Sequence, residues 1–79
     1  MWKKGAILVP GTSEVYNYCA KVYEKGSPFG INGGRISKLE IRKHGEVVYN
    51  YDRGLDFDEL DENGKIAYLI IMQNYNVKS

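Results

Sequence analysis

The segment Lys25-Gly26-Ser27-Pro28-Phe29-Gly30-Ile31-Asn32-Gly33-Gly34 puts four of the chain's nine glycines into ten residues. Such a run suits neither helix nor strand. Its backbone N–H groups around Asn32, Gly33 and Gly34 can cup an anion, and Arg35 directly behind them adds charge. No Gly-Lys-Ser/Thr follows and strand-like residues come next, so the run is neither a Walker loop nor a dinucleotide fingerprint. The plainer reading is a tight connection that needs positive φ at Gly30, Gly33 and Gly34, with Arg35 paired to Asp52 or solvated. A second constellation combines rings with charge. The chain has seven tyrosines. Tyr49 and Tyr51 share an outward sheet face with Lys38, Glu40 and Arg42, with Arg53 close by, if the strands pair as set out below. Rings interleaved with cations on a sheet stack bases and contact phosphates in single-strand binders. The same residue types build protein interfaces, and the near-neutral charge and the interspersed Glu40 favour a protein partner.

Other chemistries are thinly supplied. Asp56, Asp58, Asp61 and Glu62 offer oxygen ligands for a hard cation. The calcium-loop pattern fails because Leu60 stands where a third Asp or Asn is needed, so these acids read as helix-capping residues. His44 falls at an exposed hairpin tip, and the nucleophiles nearest it in sequence are lysines and Ser37. Cys19 lies inside a strand with no adjacent His, which reads as a buried, inert thiol. One His and one Cys cannot assemble a zinc site from those ligands, and a single cysteine forms no internal disulfide. The chain reads as no enzyme, with no metal and no cofactor.

The elements that must position these residues are few. Seventy-nine residues make one domain, 1–79. Hydrophobic residues at 43% and charged residues at 27% give the balance of a soluble globule. The formal charge of +1 disfavours indiscriminate coating of phosphates. The apolar run Ala6 to Val9 is too short for a signal or a membrane span. A cytoplasmic location is expected, consistent with a lone thiol. Residues 2–9, 15–24, 35–42 and 46–52 read as strands. His44-Gly45 reads as a two-residue turn with both residues at positive φ. That turn sets Lys43 opposite Glu46, Arg42 opposite Val47, Ile41 opposite Val48, Glu40 opposite Tyr49, Leu39 opposite Asn50 and Lys38 opposite Tyr51. Leu39, Ile41 and Val48 then face the core, and both tyrosines face outward.

The last third changes character. Asp56 to Glu62 is acidic, as suits a helix entrance, and Lys65 to Met72 is almost wholly apolar. The length favours a helix; the competing reading is a strand after an Asn63-Gly64 turn. The expected fold is α+β, a four-stranded antiparallel β-meander with one C-terminal helix packed on one face. Ala20, Val22, Leu39, Ile41 and Val48 should meet Ala67, Tyr68, Ile71 and Met72. Charge is unevenly divided: residues 1–53 hold nine basic and five acidic side chains, net +4, while residues 54–79 are net −3.

Ser27-Pro28-Phe29-Gly30-Ile31-Asn32-Gly33-Gly34-Arg35-Ile36-Ser37-Lys38-Leu39, followed by Asn50-Tyr51-Asp52-Arg53-Gly54, resembles a family of short proteins of unknown function from Firmicutes and their phages and prophages. The likeness extends from Trp2 to Asn74-Tyr75-Asn76. The resemblance implies a helical C-terminal end and a setting on mobile elements, and it brings no catalytic residue. The expected function is a non-catalytic protein-binding module, a phage or prophage accessory factor that inhibits a host defence protein. The alternative is a small single-stranded nucleic-acid or nucleotide binder using the Tyr, Arg and Lys sheet face and the glycine loop. A homodimer is a third expectation. No membrane partner is expected.

Overall fold

The computed structural model describes residues 1–76. Their elements are β1 (Trp2–Leu8), β2 (Val15–Val22), β3 (Ile36–Lys43), β4 (Glu46–Asp52), β5 (Leu55–Asp58) and α1 (Glu62–Tyr75), with one 3-10 turn at Ile31–Gly33. All pairings are antiparallel and the sheet runs in chain order, an open meander. The α+β class holds, with five strands rather than four. The fifth lies in the acidic stretch that reads as a helix entrance. Leu55-Asp56-Phe57-Asp58 alternates apolar with acidic and forms a short exposed edge strand, and edge charges of this kind discourage further pairing.

The helix begins only at Glu62. Asp61 is its N-cap, with Oδ1 accepting from the Gly64 backbone N–H at 2.7 Å, a bond that satisfies one orphan donor of the first turn. The C-terminal apolar run is therefore helix, not strand. Gly64, Ala67 and Ile71 face inward and are buried.

The hairpin turn forms as its residues require, with His44 at φ 53° and Gly45 at φ 80°. Lys43 pairs with Glu46 and Arg42 with Val47 as expected. Beyond that point the register departs. A bulge passes over Val48, so Ile41 pairs with Tyr49, Glu40 with Asn50, Leu39 with Tyr51 and Lys38 with Asp52. One extra residue turns every following side chain to the other face. Tyr49 is accordingly in the core, 4% exposed, its ring 5.1 Å from that of Tyr68. Burial pushes its phenol pKa well up. Tyr51 is half-buried against the same cluster. The outward placement of both tyrosines is thus corrected, while Leu39 and Ile41 stay in the core as expected.

Ala20, Val22, Leu39, Ile41, Ala67 and Ile71 are buried, and Val48, Tyr68 and Met72 pack at the margin of that cluster. Tyr16 and Ile36, both fully buried, complete it. Burying each such large side chain contributes about 1.5–3 kcal/mol. Tyrosine is abundant because it bridges sheet and helix. Tyr16 Oη donates to Asp61 Oδ1 at 2.6 Å, and the hydroxyls of Tyr18 and Tyr75 meet at 2.8 Å.

Candidate basic cleft on the open sheet face

Strand alternation sends one set of side chains away from the helix: Trp2 and Lys4 on β1, Asn17, Cys19 and Lys21 on β2, Lys38, Glu40 and Arg42 on β3, Asn50 and Asp52 on β4. At one end of this face the segment after β2 and the β4–β5 turn enclose a cleft of about 460 Å³. That size lies within the usual range for small-molecule sites, ~300–1,000 Å³. Lys21, Lys25, Lys38 and Arg53 line it, together with the rings of Tyr23 and Phe29 and the hydroxyls of Ser27 and Ser37. Among the described residues no carboxylate lines it.

Each of these groups has a reason to be where it is. Lys21 extends from the end of β2, its Nζ 5.5 Å from the Tyr23 ring centre and 5.9 Å from that of Trp2. The Lys21 ammonium pulls the Tyr23 phenol pKa below its ordinary value. Arg35 does not pair with Asp52; its Nε donates to the Tyr23 carbonyl at 2.8 Å and fixes the backbone there. Lys38 makes the ion pair with Asp52, at 3.6 Å. Both partners are well exposed, so the pair is weak and leaves the ammonium free to turn toward a ligand. Arg53 lies over the Phe29 ring at 4.5 Å, the spacing of a cation–π contact. The Phe29 carbonyl accepts from Tyr51 Oη at 3.0 Å, so Tyr51 positions this wall of the cleft from behind.

The glycine segment is scaffold. Among Gly30, Gly33 and Gly34 only Gly33 has positive φ, and Asn32 shares that conformation. Gly30 and Gly34 are needed for room instead: a methyl on Gly30 would strike the Gly34 backbone, and one on Gly34 the Asn76 amide. The N–H groups of Gly30, Gly33 and Gly34 donate to Ser27, Gly30 and Ile31 carbonyls at 2.8–3.0 Å. They are spent within the loop, which corrects the anion-cupping expectation for Gly33 and Gly34. Asn76 clamps the segment by accepting from the Ile36 N–H and donating to the Ile31 carbonyl.

Of the sequence-derived site residues, Lys38 and Arg53 therefore meet in the cleft. Glu40 and Arg42 lie farther along the same face, bonded to each other. Tyr49 is core, Tyr51 is a support, and Asn32, Gly33, Gly34 and Arg35 shape the loop. Lys21, Tyr23, Lys25 and Phe29 belong to the site and were not foreseen, although cation and ring alternate at strand spacing through Lys21, Tyr23 and Lys25. Cys19 is half-exposed on the open face rather than buried, and His44 is exposed at its hairpin tip. Among the described residues no group of three His, Cys, Asp or Glu side chains is placed to hold a metal. No helix among them is long and apolar enough to cross a membrane.

The profile of one family, DUF7678, a domain of unknown function, matches residues 1–76. No curated protein matches the chain, and no solved structure does.

Proposed function

The chain belongs to the DUF7678 family; from that premise, which names no activity, we propose that it is a non-catalytic module binding an anionic ligand with a planar ring, a nucleotide or single-stranded nucleic acid. The observation that carries this is the cleft itself: four cations and two rings around one concavity, with no carboxylate among the described residues that line it. Cations neutralise phosphate, and exposed rings stack on bases, an arrangement that tolerates any sequence. The near-neutral total charge is no objection, because five of the ten acids gather on β5 and at the helix entrance and, among the described residues, none lines the cleft. Asp56 and Asp58 lie on β5, Glu59 and Asp61 in the link to α1 and Glu62 at its start, and the cleft's four cations outnumber the one acid paired with them, Asp52.

Fluorescence anisotropy with a labelled oligothymidylate tests the proposal. Affinity should fall steeply between about 50 and about 200 mM salt, with a log–log slope of about −0.7 for each phosphate neutralised. The double variant Lys25→Glu/Lys38→Glu should bind at least tenfold more weakly, while Lys65→Glu on the helix should bind like the parent. Absence of binding at the lower salt, or an undiminished double variant, contradicts the proposal.

A protein partner retains one supporting observation. Ile66 and Leu69 are exposed on the outward side of α1, at 42% and 59%, and apolar side chains of that size are common in interfaces. The cytoplasmic, phage-borne accessory role against a host defence protein goes with that second reading. Capture of a protein by an Ile66→Glu-sensitive, salt-resistant contact would favour it.

A further inference from the structure

We infer that the cleft is one end of a continuous track that takes a single-stranded polymer of about four nucleotides, the lower end of known single-strand site sizes, rather than one nucleotide. This rests on the nucleotide-binding reading above and specifies its ligand. The cleft shares Lys38 with a second concavity of about 230 Å³ beside Trp2 and Cys19. That one shares Cys19 and Glu40 with a third of about 310 Å³, which reaches Lys4 and Arg42. The three run from Tyr23, just past the end of β2, back along that strand to Asn17, six residues, or ~20 Å at about 3.3 Å per residue. A mononucleotide fills one of these concavities and leaves the others empty.

The order of groups along the track alternates ring and cation. Phe29, Tyr23 and Trp2 are each about half exposed, at 52%, 46% and 53%. The Lys21 ammonium lies over both of the last two rings, 5.5 Å from the Tyr23 centre and 5.9 Å from that of Trp2. Two stacked bases on Tyr23 and Trp2 would place their linking phosphate at that ammonium. The two acids on the track, Glu40 and Asp52, stand against six cations, Lys4, Lys21, Lys25, Lys38, Arg42 and Arg53, so the track stays net positive when Lys38 turns from Asp52 to a phosphate. Lys4 closes the far end, where only a polymer reaches it.

Competition against the labelled oligothymidylate, using thymidine monophosphate and the di-, tetra- and octanucleotide, tests the track. Affinity should rise at least ~100-fold from the monophosphate to the tetranucleotide, as stacking and phosphate contacts accumulate, and change little from there to the octanucleotide. Lys4→Glu and Trp2→Ala, both surface changes, should each weaken the tetranucleotide at least fivefold and leave the monophosphate unaffected. A tetranucleotide no tighter than the monophosphate, or one indifferent to both variants, overturns the track and leaves the cleft standing as a nucleotide site. Failure of every competitor and of the labelled probe overturns both.

Discussion

Arg53 shows most sharply how a strained backbone position can be kept for the place it gives a side chain. It stands in the β4–β5 turn at φ 60°, a left-handed conformation that costs an arginine about 1–2 kcal/mol and costs glycine little. Its backbone N–H donates to the Ser37 carbonyl at 2.9 Å, and glycine would keep that bond. The side chain is what demands arginine: it covers Phe29 and lines the cleft. Arg53→Gly should therefore melt at the same temperature as the parent or higher, yet bind oligothymidylate at least threefold more weakly. Loss of thermal stability without loss of binding would assign the side chain a purely structural role. Tyr49 is the opposite case, a residue whose type suggested a site and whose place is the core. Val47-Val48-Tyr49-Asn50-Tyr51 holds two adjacent valines, so apolar alternation fits either phase, and residue types alone do not mark where the extra residue sits. The turn at His44-Gly45 was legible because positive φ is demanded of two named positions. The bulge was not, because packing of Tyr49 against Tyr68 decides it.

Among the elements, the helix was legible by length and apolar content, whereas its start was not. The acids from Asp56 onward serve two elements. Leu55-Asp56-Phe57-Asp58 carries a clear period of two, a strand signal that the acidic composition obscures, and Asp61 alone caps the helix. That cap joins a charged junction between β2, β3 and α1. Lys43 Nζ lies 2.9 Å from Glu14 Oε2 and 3.0 Å from Asp61 Oδ2, and 5.3 Å from the Tyr16 ring centre. The Tyr16 hydroxyl, then the Gly64 N–H and then Lys43 hold the Asp61 carboxyl at a pKa of about 2. Lys43, followed by Asn63, lowers that of Glu14. A carboxyl whose folded pKa is depressed stabilises the fold above its unfolded value of about 4 and loses that contribution as pH falls through the folded value. The melting temperature should thus decline as pH drops from about 4 toward about 2. Asp61→Asn should melt lower at neutral pH and show a flatter acid limb, measured by circular dichroism. An acid limb of unchanged steepness would remove Asp61 from the account.

At the scale of the whole molecule, the meander leaves one sheet face without a helix, and the acids cluster on β5 and at the entrance of α1. The division of charge was visible in the sequence as a basic first part and an acidic last third. The cleft was not, because it depends on the loop between β2 and β3 swinging Phe29 over to Arg53. That loop path is set by the close approach of Gly30 to Gly34 and by the Asn76 clamp, neither of which has a local signature. The cleft is thus built partly on strands, through Lys21, Ser37 and Lys38, and partly on the loops that carry Tyr23, Lys25, Phe29 and Arg53, while the helix fills the other side of the sheet. The most direct measurement is a two-dimensional amide NMR titration of the intact chain with oligothymidylate. The account predicts that the signals of Tyr23, Lys25, Phe29, Lys38 and Arg53 shift together and saturate, while those of Ile66 to Gln73 on the helix stay fixed. Shifts confined to the helix, or a spectrum unchanged at excess ligand, would contradict it.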